Sequence, residues 1–154
     1  SFNHIFKMAL NPPITSNYEP CWVEGERFIL KRNEIEFEVK VPEMGTFKGK
    51  GVLVLTTARM VLVNSKGKGD CWSFDLPNAN IYHEKFNQPI FGANYFSGKC
   101  QPLFGLIPGD CSFKIWFMSG GCGAFLWCID EVFKKVWANT SAGPSPSLIS
   151  QVSS

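Results

Sequence analysis

From Arg27 onward, apolar and polar residues alternate with the period of a β-strand, and after Gly123 the period changes to that of a helix. Glu34 to Val41 is the cleanest stretch. Ile35, Phe37, Val39 and Val41 fall on one face, and Glu34, Glu36, Glu38 and Lys40 on the other, which predicts a half-buried antiparallel strand. Two apolar runs, Val52 to Leu55 and Met60 to Val63, are joined by Thr56 to Arg59 and predict a tight hairpin. Both of their faces are apolar, so each side needs a cover.

Further strands are expected at Cys71 to Leu76, with Trp72 and Phe74 inward, and at Asn80 to Phe86, where a polar composition points to a sheet edge. Two more follow, one entered at Asn94 and one from Cys111 to Ser119, making seven strands. Beyond Gly120 to Gly123, which read as a tight turn, Phe125, Ile129, Val132 and Val136 recur at helical spacing. Leu126, Phe133 and Trp137 broaden that stripe. Asp130, Glu131, Lys134 and Lys135 are expected opposite it, in the order that favours i,i+4 ion pairs. The helix should stop near Asn139. The pattern predicts a mainly β fold with one C-terminal α-helix, a strongly bent sheet whose open end the helix plugs. A β-sandwich carrying a stray helix is the rival.

Composition narrows function mostly by exclusion. The 154 residues are 45% apolar, enough for one domain with a proper core. A net charge of +2 is too mild for a nucleic-acid footprint, so no sequence-specific nucleic-acid binding is expected. No apolar run reaches the roughly 18 residues of a membrane span, and the opening SFNHIFKMAL is unlike a signal peptide. The six cysteines lack any C-x-x-C spacing and read as buried thiols of a reducing compartment, Cys122 at the helix start being at most modestly reactive. His4 and His83 are the only histidines, so neither a metal nor another cofactor is expected. His83 has no nucleophile motif around it, and Glu34, Glu36 and Glu38 read as solubilising charges. No catalytic residues are assigned, and the chain is expected to be non-enzymatic.

Two motifs carry candidate chemistry. FKGKG (Phe47 to Gly51) and SKGKG (Ser65 to Gly69) read as glycine turns presenting Lys48, Lys50, Lys66 and Lys68, a candidate site for anionic lipid. The plain alternative is four solvated surface lysines. QPIFGANYFSGKC (Gln88 to Cys100) is aromatic-rich, and Pro89 and Gly92 predict a bend. That bend would turn Phe91 and Tyr95 inward, the alternative being an exposed interaction edge.

FKGKGVLVLTTARMVLVNSKGKG (Phe47 to Gly69), SFDLP (Ser73 to Pro77) and above all QPIFGANYFSG (Gln88 to Gly98) resemble the amino-terminal, GRAM-like domain of the WW domain-binding protein 2 family. MALN at Met8 to Asn11 is similar to that family's start. The family-motif residues are Gln88, Pro89, Phe91, Gly92, Ala93, Asn94 and Tyr95. The resemblance implies a pleckstrin-homology-like barrel of seven strands capped by the helix. It divides the chain into an upstream extension (1–7), the domain (8–139) and a polar tail (140–154) expected to be disordered. It also places the two lysine turns at one open end, as a phosphoinositide-reading surface.

As function, the resemblance implies a non-enzymatic adaptor and transcription coactivator, acting with nuclear receptors and WW-domain proteins in cytoplasm and nucleus. A membrane-recruitment module is the alternative. The P-P-x-Y ligands that the family implies are not met at the one proline pair: Pro12 and Pro13 are followed by Ile14 and Thr15.

Overall fold

A computed structural model of the chain describes residues 24–65, 72–102 and 108–138. The expected leader and tail, the proline pair, Lys66, Lys68, Cys21 and Cys71 lie outside the described residues, as do the side chains of Trp72 and Trp137.

Seven strands form one antiparallel sheet: β1 (Phe28–Val41), β2 (Gly45–Thr56), β3 (Arg59–Asn64), β4 (Trp72–Pro77), β5 (Ile81–Asn87), β6 (Tyr95–Cys100) and β7 (Cys111–Phe117). Their order across the sheet is β4-β3-β2-β1-β7-β6-β5, so β5 is an edge, as its polar sequence requires. The sheet curls into a half-barrel. Helix α1 (Cys122–Ala138) closes it, and a short 3-10 turn (Asn78–Asn80) rounds the corner from β4 to β5.

The alternation in β1 holds: Ile35, Phe37, Val39 and Val41 are all buried. Upstream of it a bulge between Arg32 and Ile35 is made at Glu34, whose φ is 53°. The hairpin core is Leu53, Leu55, Met60 and Leu62, while Val52, Val54, Val61 and Val63 bury a second cluster on the opposite face. Phe125, Leu126, Ile129, Val132 and Phe133 join the main core, so the helix is the plug its stripe predicts. Asp130 departs from the expected polar face. It is buried, and Lys134 Nζ reaches its carboxylate at 3.2 Å.

The first connection also differs from expectation. The turn is Pro42 to Met44, and FKGKG lies within β2. Gly49 and Gly51 pair with Phe37 and Ile35 and face inward. A Cβ on Gly49 would come within 2.5 Å of the Phe37 ring, and one on Gly51 within 2.1 Å of the Val63 carbonyl oxygen. The glycines are there for close approach, not for a flexible turn.

One polar cluster is built into the packed interior. The Arg59 guanidinium forks onto Glu26, with Nε to Oε2 at 2.8 Å and Nη2 to Oε1 at 3.0 Å, and its Nη1 donates to Asp75 Oδ2 at 3.0 Å. The Thr56 hydroxyl donates to Glu26 Oε2 and accepts the backbone N–H groups of Ala58 and Arg59. Burial outweighs the pull of Arg59 and raises Asp75 from 3.8 to about 6. Its Oδ1 is buried with no hydrogen-bond partner among the described residues. Because the folded value lies above the unfolded one, this group's contribution to stability is full below 3.8 and is lost as pH rises through about 6. Across that window the wild type should lose about 3 kcal/mol from this group. Urea midpoints near the two ends should show the loss in wild type and a flatter profile in Asp75→Asn. Parallel profiles would assign the pH dependence elsewhere.

Candidate docking surface

The loop from Gln88 to Asn94 joins β5 to β6. Asn87 pairs with Tyr95, so the intervening residues project beyond the end of the sheet. Pro89 restricts one backbone torsion and Gly92, at φ 100°, reverses the chain just after Phe91. Phe91 does not turn inward: it is 90% exposed, and Ile90 beside it is 93% exposed. Pairing ends before these residues, so no strand face exists to bury them. Tyr95 takes the outer face, half-buried, and Phe96 is the aromatic of the motif that enters the core. Gln88, Pro89 and Gly92 are exposed, while Ala93 and Asn94 are half-buried at the base. There the Asn94 carbonyl accepts the Phe117 N–H at 3.1 Å, and its side-chain amide lies 3.7 Å from Cys122 Sγ.

Behind this tip the register stacks the outer face in rows. Asn87, Tyr95, Trp116 and Glu36 form the first, with the Tyr95 and Trp116 rings 5.5 Å apart. Lys85, Ser97, Lys114 and Glu38 form the second, and Tyr82, Lys99, Ser112 and Lys40 the third. Lys114 Nζ lies 5.9 Å from the centre of the Tyr95 ring. A shallow depression of about 300 Å³ between the second and third rows includes Lys40, His83, Lys99 and Lys114 in its lining.

The four lysines singled out by sequence are not brought together in this way. Lys48 and Lys50 stand on β2 opposite Glu38 and Glu36, and Lys50 Nζ is 3.4 Å from Glu36. Lys66 and Lys68 lie outside the described residues. Sequence reasoning passed over Ile90, and it passed over Lys85, Lys99 and Lys114 because only strand register collects them. A second apolar feature is a groove of about 720 Å³ between α1 and the start of β1, rimmed by the exposed Phe28 and Trp127.

The remaining candidates read plainly. Gly120 and Gly121, at φ 78° and 82°, form the tight turn before α1, and the Gly121 carbonyl accepts the Arg32 Nε–H at 3.2 Å. Cys100 and Cys111 are buried partners across β6 and β7. The hydrogen bond to Cys111 and burial push the Cys100 thiol up, away from reactivity. His83 is exposed, its ring edge-on to Tyr82. Among the described residues no group of three His, Cys, Asp or Glu side chains is placed to hold a metal.

Human WW domain-binding protein 2 is 32% identical over 137 residues, covering 87% of this chain and 49% of that protein. The postacrosomal sheath WW domain-binding protein of Macaca fascicularis is 30% identical over 125 residues, 77% of this chain and 49% of that one. Over most of its length the chain is similar to the WW domain-binding protein 2 family. A stress-induced protein of Schizosaccharomyces pombe is 41% identical over 87 residues, 56% of this chain and 50% of that one. The chain therefore spans about half the length of its WW domain-binding protein 2-family relatives. No family model matches it. Among solved structures, the Vps36 N-terminal PH domain superposes with a TM-score of 0.63 over 87% of this chain and 99% of that one. At 11% identity that likeness speaks for the fold alone, and the fold is pleckstrin-homology-like.

Proposed function

We propose that this chain is the folded, partner-binding module of a non-enzymatic adaptor that works with WW-domain proteins and acts as a transcription coactivator, in cytoplasm and nucleus. The observation that carries the reading is the match, over most of the chain, to proteins named for binding WW domains. A domain that leaves Phe28 and Trp127 exposed at the rim of a groove supports it, because large apolar side chains at a surface mark places of contact. The phosphoinositide reading through the lysine turns is less well supported, since Lys50 pairs with Glu36 and Lys48 stands opposite Glu38.

The WW contact itself needs a P-P-x-Y ligand, whose prolines fill an aromatic groove while tyrosine adds a buried ring and a hydrogen bond. Thr15 follows Pro12, Pro13 and Ile14 where that tyrosine would stand. These 154 residues are therefore expected to bind a P-P-x-Y-selective WW domain negligibly, and Thr15→Tyr to create measurable binding. Calorimetry of both proteins against one such domain checks this. Tight binding by the unaltered chain would place a WW ligand elsewhere within it. Co-precipitation of the longer family protein, with and without its P-P-x-Y segments, tests the adaptor reading as a whole.

A further inference from the structure

The protruding loop and the rows behind it form one continuous surface that the adaptor reading does not use. At its leading end stand Ile90 and Phe91, adjacent in sequence and each at least 90% exposed. Their position is set by Pro89, by the left-handed Gly92 and by the Asn94 carbonyl held on Phe117, not by a partner side chain packed over them. Next comes the aromatic pair Tyr95 and Trp116, then Lys85 and Lys114, then Lys99 and Lys40. Successive rows are two residues apart along the strands, or about 7 Å.

This sequence of layers matches the chemical profile of an anionic bilayer face read outward. Acyl chains receive apolar side chains, the interface receives tyrosine and tryptophan, and lipid phosphates receive lysine. Of the acids on this face, Glu36 and Glu38 stand at its β1 border and are already engaged by Lys50 at 3.4 Å and Lys40 at 3.7 Å, while Asp110 lies at the far end beyond the third row and accepts the Tyr82 hydroxyl. A convex tip with two side chains pointing away from the domain fits a deformable lipid surface without requiring a preformed pocket.

We propose that the β5–β6 loop is a membrane wedge: Ile90 and Phe91 enter the acyl boundary of an anionic bilayer, and Lys85, Lys114 and Lys99 face its phosphates. This wedge is at the opposite end of the sheet from the Pro42–Met44 turn, since Ile35 pairs with Phe117 at the wedge end and Lys40 with Ser112 at the other. Lys48 and Lys50 stand on β2, one strand beyond its β1 border, opposite Glu38 and Glu36, and the wedge does not depend on WW binding.

The test is sedimentation of the chain with phosphatidylcholine vesicles, with and without phosphatidylserine. Wild type should partition onto the mixed vesicles, and Ile90→Ser with Phe91→Ser should lower the partition coefficient by more than about tenfold, given the apolar area withdrawn. Lys85→Glu, Lys99→Glu and Lys114→Glu together should abolish the preference for phosphatidylserine. Lys48→Glu alone should retain it. All the altered wedge and lysine side chains are exposed, so thermal melts should overlay that of wild type. A Phe91→Trp variant should show blue-shifted emission on the mixed vesicles and quenching by acyl-chain quenchers. The proposal is overturned if wild type stays in the supernatant, which would leave the tip to a protein partner. It is equally overturned if the serine variant partitions like wild type.

Discussion

Phe125→Ala is expected to destabilise the domain by about 3–5 kcal/mol, the usual loss for emptying a buried aromatic position. Phe125 is fully buried and joins the helix to the sheet. Its ring centre lies 5.3 Å from that of Phe96 on β6 and 5.1 Å from that of Phe117 on β7. Phe96 in turn meets Phe113 at 5.6 Å, so the ring cluster continues into the half-barrel. Removing Phe125 leaves a void walled by rigid rings on a curved sheet, which has little freedom to collapse. Two residues on, Trp127 is 62% exposed, and Trp127→Ala should change stability by no more than about 0.5 kcal/mol. Urea midpoints of the two variants provide the comparison. Equal midpoints would mean that the helix rests on the sheet without plugging it.

The contrast between these two neighbours shows what the sequence carries well. Period-2 and period-3.6 patterns report which side chains share a face, and the faces of β1 and α1 were legible on that basis alone. Lys-Gly-Lys-Gly was not, because glycine reads as a turn wherever it recurs. Only the pairing of Gly49 with Phe37 and Gly51 with Ile35 shows that the inward side of a strand needs the space. Phe91 illustrates the same limit. Its neighbours Tyr95 and Phe96 belong to a strand, and whether an aromatic beside a strand is core or tip depends on where a distant partner stops pairing. Asp130 sits on a helix whose local charges all read as solvated, yet tertiary packing buries it. The lysines of the outer face come from β1, β5, β6 and β7, and sequence spacing does not register their proximity.

The polar cluster at Arg59 was the least legible element, and it should be among the most sensitive. Glu26, Arg59 and Asp75 come from the segment before β1, the start of β3 and the middle of β4. The Glu26 side chain is fully buried and that of Arg59 is only 11% exposed. A carboxylate removed from water is tolerated because a forked guanidinium neutralises it and the Thr56 hydroxyl donates to it. Arg59→Met keeps much of the side-chain volume but removes the charge, leaving two buried acids without that cation. A loss of about 3–5 kcal/mol is expected, the range for breaking a buried pair on one side. Adding Glu26→Gln to Arg59→Met should recover part of it, since the penalty lies mainly in the stranded charge. In the single variant Asp75 loses the guanidinium that holds it down, so its titration should move above about 6, and the pH-dependent loss, still beginning near 3.8, should run to higher pH and be larger. Denaturant midpoints for the four members of this cycle, repeated on both sides of that pH, separate charge from packing. If Arg59→Met and the double variant unfold together at every pH, the cluster contributes packing alone.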